Sequence, residues 1–270
     1  MTTKIHPTAI VDPDAKLADD VVVGPYAIIG PQVELGAGTQ VDAGAQIHGP
    51  TRMGEGNRIF PYACVGFDPQ DLKYGGEETW LYVGDRNQFR EHCTVHRGTA
   101  KGGGETRVGS DNLFMVFTHI AHDCVVGDRT IFSNNGTLAG HVEVADDAVV
   151  GAFSSVHQFC RLGQHAYIGG YSVITRDALP FVKTVGVKPA CYGLNRIGLE
   201  RKGFTAERLD PLSAAYRILV RSKLNTAQAM ERLREELADA ADVAYIMDFV
   251  ATSQRGVIKE MPQRTGQRGG

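Results

Sequence analysis

Disulfide and thiolate-metal chemistry have little material in this chain. Its five cysteines, Cys64, Cys93, Cys124, Cys160 and Cys191, are odd in number and far apart, and no CxxC pair occurs. Neither a disulfide framework nor a thiolate zinc site is indicated, and the five read as small buried apolar residues. No run of about eighteen apolar residues exists, so no membrane span is expected. The opening, MTTKIHPTAIVDPDAK, holds neither a basic leader nor an apolar run of signal-peptide length. A reducing cytoplasm is the expected setting. An excess of one charge is lacking too. Lys plus Arg number 28 and Asp plus Glu 31, a formal net charge of -3. That balance gives no global field for nucleic acid or a membrane surface.

What the chain does have is a repeat. From Ile5 every sixth residue is apolar: Val11, Leu17, Val23, Ile29, Leu35, Val41, Ile47, Met53, Ile59 and Val65 follow. Two residues before each beat sits a mostly small residue, as at Ala9, Ala15, Ala27 and Ala45. A helix cannot carry this, because six steps of about 100° turn the side chain to the opposite face. A lone strand would alternate by two. Short strands with a tight turn every six residues satisfy it, and three of them make one triangular coil of eighteen. The beat residue fills the prism, and the small residue is expected to let the chain turn the corner. Such a coil stacks on its neighbours and needs capped ends.

The beat breaks twice. GFDPQDLKYGGEETWLY follows Val65, and HRGTAKGGGETR follows Val95. Both read as surface excursions, about 66–82 and 96–107, the glycine-rich second one as a mobile connection. The beat runs from Val108 to Ile174 and fades after Pro180. Residues 191–258 then read as a small helical domain on a coil of residues 1–190. Thr205, Asp210 ahead of Pro211, Thr226 and Asp242 are the expected helix starts. The tail, 259–270, is expected to be disordered.

Chemistry concentrates between Met115 and His157. His122 and His141 are one coil plus one residue apart, His141 and His157 one coil less two. They fall near one edge on successive coils, about 4.8 Å apart per step. His119 shares a coil with His122, and Asp123 follows it. Three readings stand open on the residues alone. One neutral histidine oriented by a carboxylate suits a general base. Three histidines suit a zinc site, as in a trimeric hydratase of this repeat class. An exposed solenoid edge that only binds a partner needs no chemistry.

The strings IHPTAIV, QDLKYGGE, VHRGT, GSDNLFM, HIAHDC, LAGHV and VHQFC, with NRIGLERKGF at the start of the helical part, narrow the choice. Together they resemble the UDP-N-acetylglucosamine O-acyltransferase family, which performs the first step of lipid A synthesis in Gram-negative bacteria. The resemblance covers nearly the whole chain. It implies a mainly β fold, a left-handed parallel β-helix of hexapeptide repeats with a small C-terminal α-helical domain. It also implies a homotrimer with sites between neighbouring subunits. The left hand comes from the resemblance, since crossovers are ordinarily right-handed.

The resemblance implies roles as well. His122 matches the base that takes the proton from the sugar 3-hydroxyl as it attacks the thioester of a 3-hydroxyacyl-acyl carrier protein. Asp123 matches its orienting carboxylate, and Gly140 the residue whose N–H meets the oxyanion. His119, His141, His157 and Gln158 match residues lining the nucleotide-sugar and acyl site. Asp71 and Lys73 match a loop that closes from an adjacent subunit. Asn195 and Arg201 match groups on the uridine diphosphate. Lys202 stands where the family often has a second arginine, which keeps the charge without the fork. Gly170 matches the residue at the end of the acyl groove and implies room for a long chain. No metal or cofactor is required, because the donor brings its own thioester. A sister enzyme that acylates an amine usually carries a domain before the coil, whereas the beat here begins at Ile5. The basic stretch around Arg217 and Arg221 is expected to meet the acidic carrier protein.

Overall fold

The six-residue beat produces a three-sided prism. In this computed structural model, which describes residues 2–262, strands mostly two residues long form three parallel sheets, one per side. The first face has 11 strands, the second 9 and the third 8 among the described residues. Each strand pairs in register with its equivalents one coil away. His119, for example, pairs with Thr137, and Thr137 with Ser155. The last pair, Val182–Val185 with Ala190–Leu194, is antiparallel and ends the stacking.

The beat residues from Val23 to Ile174 are all buried. Phe89, Phe114 and Phe132 stack along the prism axis, with centroids 5.0 and 5.2 Å apart. Ile5, on the first coil, is 49% exposed, because no coil lies beneath it. Polar ladders run through the corners as well. Asn87 Nδ2 donates to Asn57 Oδ1 (3.0 Å), Asn112 N–H to Asn87 Oδ1 (3.0 Å), and the Thr130 hydroxyl to Asn112 Oδ1 (2.6 Å). These bonds satisfy buried amides that would otherwise destabilise the coil.

The corners differ from the expectation in one respect. The small residue is buried inside the turn, but the turn itself is made by the residue before it, which adopts positive φ. Asp123 (+59°), His141 (+61°), Phe153 (+55°), Phe159 (+63°) and Tyr171 (+55°) all do so. Aspartate, asparagine and histidine tolerate this region better than most residues, and none of the residues found there is β-branched. Cys93, Cys124 and Cys160 occupy the buried small-residue place, and burial raises their thiols to about 12, 12 and 11.

Both excursions leave from the corner between the second and third faces. One joins Cys64–Phe67 to Trp80–Val83, the other Thr94–His96 to Glu105–Val108. The second carries a 3₁₀ turn, Ala100–Gly102, capped by the Thr99 side chain. It is therefore a built element packed on the coil, where a mobile connection was expected.

The helical part comprises α1 (Arg196–Arg201), α2 (Ala206–Tyr216), a π-helical turn (Arg217–Arg221), α3 (Thr226–Leu237) and α4 (Ala241–Ala251). Asp210–Pro211 does not start a helix, because α2 runs through it with Pro211 inside. Packing of Leu209, Leu212, Ala215 and Tyr216 outweighs the lost hydrogen bond. Asn225, not Thr226, caps α3, forming a reciprocal box with Gln228. Ala240 precedes α4, and Asp242 instead pairs with Arg208 at 2.9 Å. The start of the tail is held down. Cys191 N–H donates to Glu260 O (2.7 Å), and Glu260 pairs with Arg176 (2.6 Å). The remainder of the tail, 263–270, lies outside the described residues.

Phe132→Ala should lose about 3–5 kcal/mol of stability, the cost of a large core cavity, read by denaturant unfolding. A loss below about 1 kcal/mol would mean the aromatic stack is not what holds adjacent coils.

Candidate active site

Strand register decides what meets at the corner between the second and third faces. Continuing the pairing of Ile120 with Leu138 and of Leu138 with Val156, the turn residues align as Ala121, Ala139 and His157, then His122, Gly140 and Gln158, then Asp123, His141 and Phe159. The three histidines thus share one edge but occupy three different places in the turn. His122 and His141 meet edge to face with centroids 5.3 Å apart, and Phe159 stacks on His141 at 4.5 Å.

Asp123 is the hub. Its side chain is 1% exposed, and a buried carboxylate needs donors. Thr99 supplies two, its N–H to Oδ1 (2.7 Å) and its hydroxyl to Oδ2 (2.8 Å). His122 Nδ1 lies 2.6 Å from Oδ2, and His141 Nε2 lies 3.5 Å from it. The acceptor-only carboxylate assigns the proton to His122 Nδ1, which leaves the Nε2 lone pair facing outward. Backbone N–H of Asp123 is itself fixed by the Thr106 hydroxyl at 2.8 Å. The glycine-rich excursion therefore clamps the carboxylate that orients the histidine. Thr99 and Thr106 lie in a stretch whose composition signalled only a loop, and their role was not legible in the sequence.

Gly140 makes room for the imidazole. A Cβ at this position would lie 2.5 Å from His122 Cε1. Its N–H, like those of His122 and Gln158 in the same turn place, donates to no described residue. At Gly140 no side chain screens it. A base, a carboxylate behind it and a free N–H beside it form a set able to deprotonate a hydroxyl and stabilise an oxyanion. The nearest donor atoms of His122, Asp123 and His141 also lie within 4.8 Å of one another. Both Asp123 oxygens, however, already accept hydrogen bonds from Thr99 and His122.

Below them, His119 Nδ1 shares a hydrogen bond with Thr94 Oγ1 (2.7 Å) and meets His96 edge to face at 5.1 Å. His96 was not singled out by spacing. It is 5% exposed, with Nδ1 buried and unpaired among the described residues. Burial, then the neighbouring His119 and His122, push it down to about 4. Burial also lowers His119.

The other expected residues lie elsewhere on this chain. Asp71 turns its own loop, accepting from Lys73 N–H at 2.9 Å, and neither side chain touches the histidines. Leu72 between them is fully exposed. Arg97 ties the loop to the prism through Asp68 and the Tyr74 hydroxyl. Asn195 and Lys202 gather at a different corner, between the third and first faces. Asn195 Nδ2 donates to His165 O (3.2 Å), and Lys202 Nζ pairs with Asp147 at 2.7 Å. Burial raises the Asp147 carboxyl, but hydrogen bonds from Lys202 and Arg129 outweigh it and hold it below the usual range. Arg201 is exposed, with no ion pair among the described residues. Gly170 sits at the remaining corner, between Tyr167–Ile168 and Val173–Ile174, where a Cβ would lie 3.2 Å from Ala152 O.

Residues 177–258 match a family model described as UDP N-acetylglucosamine O-acyltransferase, domain 2, and residues 2–37 match bacterial transferase hexapeptide repeats. An acyl-[acyl-carrier-protein]–UDP-N-acetylglucosamine O-acyltransferase of Thiobacillus denitrificans is 51% identical over 94% of this chain and 99% of its own length. The Myxococcus xanthus protein of the same name is 51% identical over 95% and 99%. The solved structure of LpxA from Acinetobacter baumannii superposes with a TM-score of 0.91 at 45% identity, covering 94% of this chain and 99% of that one.

A histidine buried neutral makes stability pH-dependent. Between about 6.5, its unfolded value, and about 4, the unfolded chain binds a proton that folded His96 refuses. Its contribution is therefore full above the upper value and is lost as pH falls toward the lower one. His96→Gln should flatten the fall in unfolding free energy across that window. An unchanged slope would assign the fall to other groups.

Proposed function

This chain belongs to the UDP-N-acetylglucosamine O-acyltransferase family and is an acyltransferase, and we propose that His122 is the base of its reaction. The enzyme transfers a 3-hydroxyacyl chain from acyl carrier protein to the 3-hydroxyl of UDP-N-acetylglucosamine, the first step of lipid A synthesis. The observation that carries the residue assignment is the 2.6 Å contact of His122 Nδ1 with buried Asp123. It leaves Nε2 unprotonated and outward, as a base must be. The zinc-hydratase and non-catalytic readings gain no support from the relatives.

In the proposed sequence, His122 Nε2 takes the sugar hydroxyl proton as that oxygen attacks the thioester carbonyl carbon. Asp123 stabilises the imidazolium that forms. The tetrahedral oxyanion lies against the Gly140 N–H. Collapse breaks the C–S bond, and the departing thiolate of the carrier protein takes the proton back from His122. An ester and a free thiol result, with no external oxidant or metal in the balance.

The remaining residues belong to the same proposal. His119, His141, His157 and Gln158 line the approach of the nucleotide sugar and acyl chain. Asn195, Arg201 and Lys202 bind the uridine diphosphate, and Lys202 must share its charge with Asp147 to do so. Gly170 leaves the acyl groove open at its end. The loop of Asp71 and Lys73 closes over the edge of a neighbouring subunit in a homotrimer, which gives its exposed Leu72 a surface to cover. No helix among the described residues is long and apolar enough to cross a membrane, and the proposed setting is the cytoplasm.

His122→Ala should lower turnover by about 10²–10⁴-fold while the melting temperature barely moves, since no beat residue changes. Mass analysis of wild-type product should show one acyl ester on the nucleotide sugar. Near-full turnover by the variant would reject His122 as the base.

A further inference from the structure

At the top of the histidine edge stands a cation that none of these roles uses. Arg255 follows α4, and its Nη2 lies 3.2 Å from His157 Nδ1. Its mount is firm. Asp177 N–H donates to Gly256 O, and Ile258 N–H to Asp177 O, both at 2.9 Å. The Asp177 carboxylate, 1% exposed, accepts from the Ser253 hydroxyl (2.7 Å) and from Arg161 N–H (2.8 Å). The segment is thus bolted to the coil that stacks above His157, and Arg255 is held over the edge.

Its neighbours set it apart. Arg161 pairs with Asp177 at 3.2 Å and Arg176 with Glu260 at 2.6 Å. Arg255 has no carboxylate partner among the described residues, and it is exposed. His157 Nδ1 lies 3.1 Å from Gln158 O and 3.2 Å from the guanidinium. It cannot donate to the first and accept from the second at once. When it accepts from Arg255, the ring proton moves to Nε2. His157 Nε2 and the guanidinium fork are then donors facing no carboxylate among the described residues, with the buried Cys160 thiol also beside the guanidinium.

We propose that Arg255 and His157 recognise a phosphate carried by a substrate. A planar fork that is always charged suits phosphate better than any other side chain. The inference rests on the acyltransferase reading, in which two such groups arrive: the diphosphate of the nucleotide sugar and the phosphodiester of the carrier protein's pantetheine arm. Arg255 is a positioning residue in this scheme, since it contacts neither the attacking oxygen nor the thioester.

The test uses the full chain, with Arg255→Gln and Arg255→Lys beside wild type. KM is measured for the acyl carrier protein thioester and for the nucleotide sugar separately. The donor is also replaced by acyl-phosphopantetheine and by acyl-pantetheine, which lacks the phosphate. If the arm's phosphate is the ligand, Arg255→Gln raises the donor KM about tenfold and abolishes the preference for the phosphorylated thioester. Arg255→Lys restores part of it, and kcat stays near wild type. If the diphosphate is the ligand, the nucleotide-sugar KM rises instead, and UDP inhibits more weakly. Both outcomes support phosphate recognition and assign its source. Both KM values staying within about twofold of wild type, with the thioester preference intact, would overturn it. If wild type transferred no acyl group, the functional reading would fail. Calorimetric titration with UDP and with phosphopantetheine would then still decide whether Arg255 binds phosphate.

Discussion

In-register stacking of the coils is the constraint on which everything else hangs. Two-residue strands gain little alone, and each is held by the strands above and below it. Register therefore fixes not only the core but also which corner residues become neighbours. Asp123, His141 and Phe159 succeed one another at a single positive-φ place on three coils. A one-residue insertion between Ile120 and Leu138 would break the contact of His122 with His141, whatever the side chains were.

Burial of Asp123 is the costly feature that this stacking makes possible. A carboxylate with 1% exposure is tolerable because donors surround it. Two of them come from Thr99, in an excursion that the solenoid itself does not need. The excursion is retained by contacts at both ends, with Gly102 close enough to Asp123 that a Cβ there would collide with the carboxylate. Removing the Thr99 hydroxyl would leave Oδ2 with His122 as its nearest donor and loosen the ring's orientation without touching the ring.

Much of this was legible in the sequence. The beat gave the prism, its interior residues and both points of departure for the excursions, because apolar spacing reports directly on which side chains face inward. The histidine spacing gave the edge. It did not give the pairing, because a 19-residue step and a 16-residue step place the side chains differently within the turn. Corner geometry was hidden, since many corners are made by tyrosine, phenylalanine or arginine, which carry no signature of positive φ. Helix starts were misread at Asp210 and Asp242 because local capping preferences are worth about 1 kcal/mol, and tertiary packing of α2 and α4 overrides them. At Thr226 the error was one residue, since Asn225 is the cap and closes its box with Gln228. Arg255 and Thr99 were invisible because each acts on a residue far away in the chain.

Corners also explain why one chain looks incomplete. The histidines, the Asn195–Lys202 group and Gly170 lie on three different corners, and the Asp71 loop extends from its own edge without reaching its own histidines. Assembly of the site between neighbouring chains, proposed above, resolves this. The most direct test is subunit complementation. Asp71→Ala and His122→Ala proteins, each with little activity, are co-expressed so that mixed oligomers form. If each site takes its loop and its base from different chains, random mixing restores both intact parts in about a quarter of sites, and activity rises to roughly that fraction of wild type. Activity no greater than that of the two variants measured separately would contradict a shared site.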